Sequence, residues 1–216
     1  MKNEILKRII SSVILIPLSL FIIIKGSFYF IFFISICFLI ASYEWSIIAK
    51  KKKYLLPGFL FLLFSFFSFY QLRNLGYSYE LILFVLIICV FTDLGGYVFG
   101  KIFKGPKLTK FSPNKTYAGV VGSYLFSVIA LYYIGQKFLF TSFLLNHFVI
   151  CIYISSISQL GDIIISYFKR VAKMKDSGRI IPGHGGVLDR IDGMIFSFPA
   201  LYLTLLNDHF LNYLEI

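Results

Sequence analysis

Apolar residues run along this chain in long blocks separated by short polar stretches. Seven blocks, roughly 5–24, 27–48, 54–72, 79–100, 117–135, 141–166 and 188–208, are long enough to cross a hydrocarbon core, which takes about 20 helical residues. Backbone in lipid must satisfy its own hydrogen bonds, so each block is expected to be a helix. The pattern predicts an all-α polytopic membrane protein, one domain over residues 1–216, with about seven transmembrane helices. The sixth block is the longest, and a break in it would give eight pieces. The first carries Pro17, is followed by Lys25 and shows no small-residue cleavage site, so it is expected to be a retained span rather than a signal peptide.

Composition supports the class: 58% of the 216 residues are hydrophobic and 14% charged, against about 25% charged in soluble domains. The formal net charge of +11 would suggest nucleic acid in a soluble protein, but here the charges sort by loop. Eighteen of the 21 Lys and Arg fall at the N-terminus, in 50–53, in 101–115 and in 169–190; only Lys25, Arg73 and Lys137 lie in the intervening turns. The positive-inside rule then places the N-terminus in the cytoplasm, and no nucleic-acid partner is expected. Cys37, Cys89 and Cys151 sit inside apolar blocks without CxxC spacing and are expected to be buried small residues.

Acidic residues are few, ten in all. Glu44, near the end of the second block, is expected to partner the adjacent lysines. Asp93, Asp162, Asp176, Asp189 and Asp192 all lie in or beside the two large basic loops, and Asp93 and Asp162 fall inside apolar stretches. A carboxylate there is costly unless paired or facing a wet cavity, which makes both functional candidates. On a helix Asp162, Ser166, Lys169 or Arg170, and Lys173 share one face. Carboxylate, hydroxyl and cations in that order suit a metal–polyphosphate ligand. Asp189 and Asp192, three apart, share a face at the start of the last block, so two helices could bring Asp162 and Asp189 together around Mg²⁺, which uses one or two carboxylates. Gly183, Gly185 and Gly186 would let backbone N–H groups approach an anion, and His184 could bind or protonate a phosphate oxygen.

Ser166 to Asp192 reads S-x-x-K-R-x4-K-D-S-G-x-x-I-P-G-H-G-G-x-x-D-R-x-D, and Thr92 to Gly119 reads TDLGGYVFGKIFKGPKLTKFSPNKTYAG. Together they resemble the signature regions of the phosphatidate cytidylyltransferases, or CDP-diacylglycerol synthases. The resemblance implies transfer of a cytidylyl group from CTP to phosphatidic acid, with Mg²⁺ as cofactor. It implies a metal centre at Asp162 and Asp189, and Asp93 is a further candidate ligand. Lys169, Arg170, His184 and Asp192 carry over as catalytic candidates. Ser112, Lys115, Thr116, Ser166, Lys175, Asp176, Gly183, Gly185, Gly186 and Arg190 carry over as substrate-binding candidates. A homodimer in the lipid bilayer is implied too, multi-pass in a bacterial-type inner (plasma) membrane, with the site facing the cytoplasm. The chain departs from the family pattern at Ala118 and Ile165, where many members have Glu, and at Asn114 and Gly96. Ile165 lies at the border of the polar face, where it can only pack or close the edge to water. The nearest alternative is another CTP-dependent lipid enzyme, such as a polyprenol kinase relative. An ion-coupled transporter built on Asp93 and Asp162 is disfavoured because the charged motifs cluster on one side and no repeat is visible.

Overall fold

A computed structural model describes residues 2–50, 53–75, 79–110, 112, 115–135 and 145–206, without the side chains of 2–5, 7, 145 and 146. Its helices are α1 (Lys2–Lys25), α2 (Ser27–Ile48), α3 (Leu55–Asn74), α4 (Glu80–Phe103), α5 (Tyr117–Ala130), α6 (Leu145–Val171), α7 (Leu188–Ile191) and α8 (Met194–Leu205). A π-helical turn, Leu131–Gly135, extends α5. Among the described residues, six helices are long and apolar enough to cross a membrane, as a multi-pass membrane protein requires. The predicted blocks and these helices agree closely, except at the sixth and seventh.

The sixth block is not broken: α6 runs without interruption from Leu145 to Val171, and residues 141–144 lie outside the described part. The seventh is divided into the single turn of α7 and the twelve residues of α8, with Asp192 and Gly193 between them still in helical φ and ψ. This junction is pressed against α6. A Cβ on Gly193 would lie 2.3 Å from Ser158 Oγ, and one on Gly161 would lie 2.8 Å from the Asp192 carbonyl oxygen. Two backbones touch where α7 passes into α8, and the Gly193 N–H turns to the Asp192 carboxylate at 2.9 Å.

Short as it is, α8 is the centre of the bundle. Phe69 of α3 stacks on Phe198 at 4.4 Å, Ser65 Oγ donates to the Ile195 carbonyl at 2.7 Å, and Cys89 of α4 reaches Ser197. Helices α4 and α5 make the tightest pair, and glycines explain it. A Cβ on Gly95 would sit 2.2 Å from the Gly122 carbonyl oxygen, and one on Gly119 would sit 2.8 Å from that of Gly96. Lipid provides no hydrophobic drive between spans, so close backbone packing of small residues is what joins them. Thr116 sets where α5 begins, its Oγ1 accepting the Gly119 N–H at 3.1 Å. The ends of α2, α4 and α6 and the starts of α1, α3, α5 and α7 follow from this order as one rim of the bundle, the rim that carries most of the Lys and Arg. At the other rim, Arg73 clamps the α1–α2 turn by donating to the carbonyls of Ile23 (3.1 Å) and Ile24 (3.2 Å).

Candidate active site

Two ion pairs, both made with α6, organise the basic rim. Lys115, just before α5, places Nζ 2.6 Å from Asp162 Oδ2 and 3.3 Å from the Gln159 carbonyl. One turn further along α6, Ser166 Oγ donates to Asp162 Oδ1 at 3.2 Å, as the shared helical face predicts. The Asp192 carboxyl lies close enough to Asp162 for the two to interact electrostatically. Asp162, Lys115, Asp93, Ser112, Thr116 and Gln159 line a cavity of about 250 Å³ between α4, α5 and the middle of α6. The Gln159 Nε2 is buried without a partner among the described residues, so an acceptor on a ligand in the cavity would satisfy it.

The second pair is Lys169 with Asp189, both nearly buried, with Nζ 2.8 Å from Oδ1. Asp189 Oδ2 accepts the backbone N–H groups of Ser177 (2.8 Å) and Gly186 (3.0 Å). Burial works to raise the Asp189 pKa, but the Lys169 ammonium and these two amides outweigh it and hold the carboxyl below the usual carboxylate range. Asp189 therefore has partners of its own, and of the two aspartates in D-R-x-D it is Asp192 that interacts electrostatically with Asp162.

The donor set suits a hard divalent cation. Asp93 and Asp162 line the cavity, and Asp93, Asp162 and Asp192 lie close enough to repel one another, which a bound cation would relieve. No group of three His, Cys, Asp or Glu side chains converges into a ready cage among the described residues. Mg²⁺ does not need one, because it usually keeps waters and substrate oxygens around one or two carboxylates.

The glycines act on their own chain. Gly183 and Gly185 have φ of +77° and +87°, which turn the chain so that the Ile181 N–H meets the Gly185 carbonyl at 2.9 Å. Gly186 spends its N–H on Asp189, and a Cβ there would lie 2.1 Å from Ser177 Oγ. His184 is held by α1: Nδ1 lies 2.8 Å from Ser11 Oγ and Nε2 3.3 Å from Ser12 Oγ, while Arg8 Nε donates to the Gly183 carbonyl at 2.7 Å. Burial, with the nearby charges of Arg190 and Arg8, lowers the His184 pKa and favours neutral imidazole.

The other candidates divide between two duties. Arg170 donates to the Met174 carbonyl at 3.0 Å and closes the end of α6, and Thr116 caps α5. Lys175, Asp176 and Arg190 are exposed around the loop. Ile165 is buried in the core rather than at a wet edge. Glu44 differs from its expected place. It is fully buried and accepts from Ser177 Oγ, Val187 N–H and Leu188 N–H, and among the described residues no lysine pairs with it. A sign was available in the sequence: its helical neighbours at three and four residues are Ile47 and Ile48, while Lys50 falls on another face.

Comparison with known proteins covers this whole arrangement. The sequence model of the cytidylyltransferase family matches residues 6–79 and 54–207. A protein named phosphatidate cytidylyltransferase in Staphylococcus saprophyticus is 37% identical over 183 residues, covering 80% of this chain and 68% of that protein. Proteins of the same name in Staphylococcus aureus and Staphylococcus epidermidis are each 36% identical, over 187 and 184 residues, with the same coverage of both chains.

Proposed function

This chain belongs to the cytidylyltransferase family, and we propose that it transfers the cytidylyl group of CTP to phosphatidate, giving CDP-diacylglycerol and pyrophosphate. The observation that carries the reading is the cavity at the basic rim, where Lys115 and Asp162 meet between three spans. A lipid phosphate and a water-soluble triphosphate can both reach such a place, one from the bilayer and one from the aqueous side.

The reaction forms a bond from a phosphatidate oxygen to the α-phosphorus of CTP and breaks the α–β anhydride, releasing pyrophosphate. The attacking phosphate is already largely ionised at neutral pH, with a second pKa of about 6. The barrier is the approach of two anions, so catalysis consists of charge neutralisation and in-line positioning. Lys115 offers its ammonium inside the cavity, Ser166 orients Asp162, and Gln159 offers an unspent donor. Lys169, fixed by Asp189, extends the positive field along the same face of α6. Asp162 and Asp192 are the side chains that would hold Mg²⁺, with Asp93 on the opposite wall; Asp189 would join only by giving up Lys169. Bound there, the ion would offset triphosphate charge and orient the α-phosphorus. The basic rim faces the cytoplasm in this reading, with the N-terminus on that side of a bacterial-type inner membrane, and the working unit is a homodimer.

The test is purified protein in lipid nanodiscs, given CTP labelled at the α-phosphorus or, in parallel, at the γ-phosphorus, and a panel of phosphatidate, diacylglycerol and polyprenol. Label should enter a CDP-lipid with phosphatidate alone. Transfer of the γ-phosphate to a polyprenol would replace this reading with a kinase.

A further inference from the structure

Resting on that reading of the reaction, we infer that Glu44 is a positioning residue whose carboxylate holds the segment 176–189 in the one shape that pairs Asp189 with Lys169. It comes from α2, none of whose residues lines the cavity. Its Oε2 accepts from Ser177 Oγ and from Leu188 N–H, both at 2.8 Å, and its Oε1 accepts from Val187 N–H at 3.0 Å. These donors are shared with Asp189. Ser177 sends its hydroxyl to Glu44 and its N–H to Asp189, and the successive amides of residues 186, 187 and 188 go first to Asp189 and then twice to Glu44. The two carboxylates therefore stitch both ends of the loop into one network, and displacing the first displaces the second.

Only a carboxylate fits this place. A backbone N–H points at each of the two oxygens, and neither can turn round to accept. An amide side chain would set its NH₂ against one of them in either orientation, leaving two donors facing each other in a buried site. Nor can the side chain shift to escape. A Cβ on Gly178 would lie 2.6 Å from Glu44 Oε1 and one on Gly186 2.5 Å from Oε2, so the loop already rests against both oxygens. Trp45 beside it packs edge-on against Phe168 of α6 at 5.1 Å, which fixes α2 relative to the helix that carries Lys169.

The test compares the parent protein with Glu44→Gln in nanodiscs, measuring kinetics in both substrates, melting temperature and tryptic cleavage after the exposed Lys175 and Arg179. We expect kcat/KM for CTP to fall by about tenfold or more while KM for phosphatidate stays within about twofold. Cleavage in the loop should quicken under conditions where the six spans remain intact. Unchanged CTP kinetics with unchanged cleavage would overturn the inference. So would a loss falling equally on CTP, phosphatidate and melting temperature, since that marks general support of the fold. If Glu44→Gln does not accumulate in the membrane, Ser177→Ala decides by the same readouts, because it removes one shared donor and leaves Glu44 in place. A parent protein inactive with CTP and phosphatidate would refute the proposed reaction, and the cleavage comparison would still decide the role of Glu44.

Discussion

Asp162 and Asp189 are both aspartates paired with a lysine, yet they do different work. Asp162 lines the cavity and is shared among Lys115, Ser166 and Asp192, so Asp162→Asn removes negative charge where ligands gather. Turnover should fall by at least about tenfold, equivalent to about 1.4 kcal/mol in the barrier, while melting in detergent changes little. Activity above a tenth of the parent would remove Asp162 from the mechanism. Asp189→Asn should cost both activity and stability, because it leaves the buried Lys169 ammonium without a counter-charge and sets an NH₂ against either that ammonium or the loop amides. Breaking such a pair costs about 3–5 kcal/mol, and a melting temperature equal to that of the parent would show that Lys169 finds another partner. Because Asp189 is held ionised below the usual carboxylate range, this pair contributes stability above the unfolded-state pKa and loses it only as pH falls through the lower folded value. Ile165 answers a different question. Its burial in the core means that Ile165→Glu would bury an unpaired carboxylate, so restoring the residue common in the family should lower activity here rather than raise it.

At the scale of elements, the α4–α5 seam is where packing and function meet. Gly96, Gly119 and Ser123 belong both to the seam and to the cavity wall, so the spacing of two helices sets the width of the site. Gly95→Ala would drive a methyl group to within 2.2 Å of the Gly122 carbonyl oxygen. Overpacking of this kind costs about 1–3 kcal/mol, and activity should fall along with melting temperature. Val121→Ala, on the exposed face of α5, serves as the control and should change neither. Equal melting temperatures for the two variants would mean that the helices separate without cost.

For the whole molecule, the testable property is sidedness. Ile180 is exposed in the loop at the basic rim, and Asn74 is exposed at the opposite end of α3. In intact cells, a membrane-impermeant maleimide should label Asn74→Cys and leave Ile180→Cys unmodified until the membrane is opened. Labelling of Ile180→Cys from outside would reverse the orientation and remove the aqueous route for CTP.

The class of this protein and most of its helices were legible in the sequence, because both rest on local quantities. A span needs only enough consecutive apolar residues, and α2 occupies the very residues 27–48 that its block marks out. The face of α6 that joins Asp162 to Ser166 was equally readable, since a helix repeats every 3.6 residues whatever surrounds it. Contacts between distant segments were not. At the junction of α7 and α8 Gly193 meets Ser158, thirty-five residues earlier, and nothing near Gly193 announces that contact. Spacing put Asp189 and Asp192 on one face without saying which would meet Asp162, because that depends on how α7 crosses α6. Glu44 lies 133 positions from Ser177 and 144 from Leu188, so no motif could join them. Local periodicity determines which residues share a helix face, but only the packed bundle decides which faces meet, since burial of a carboxylate is tolerated only where donors from other segments converge on it.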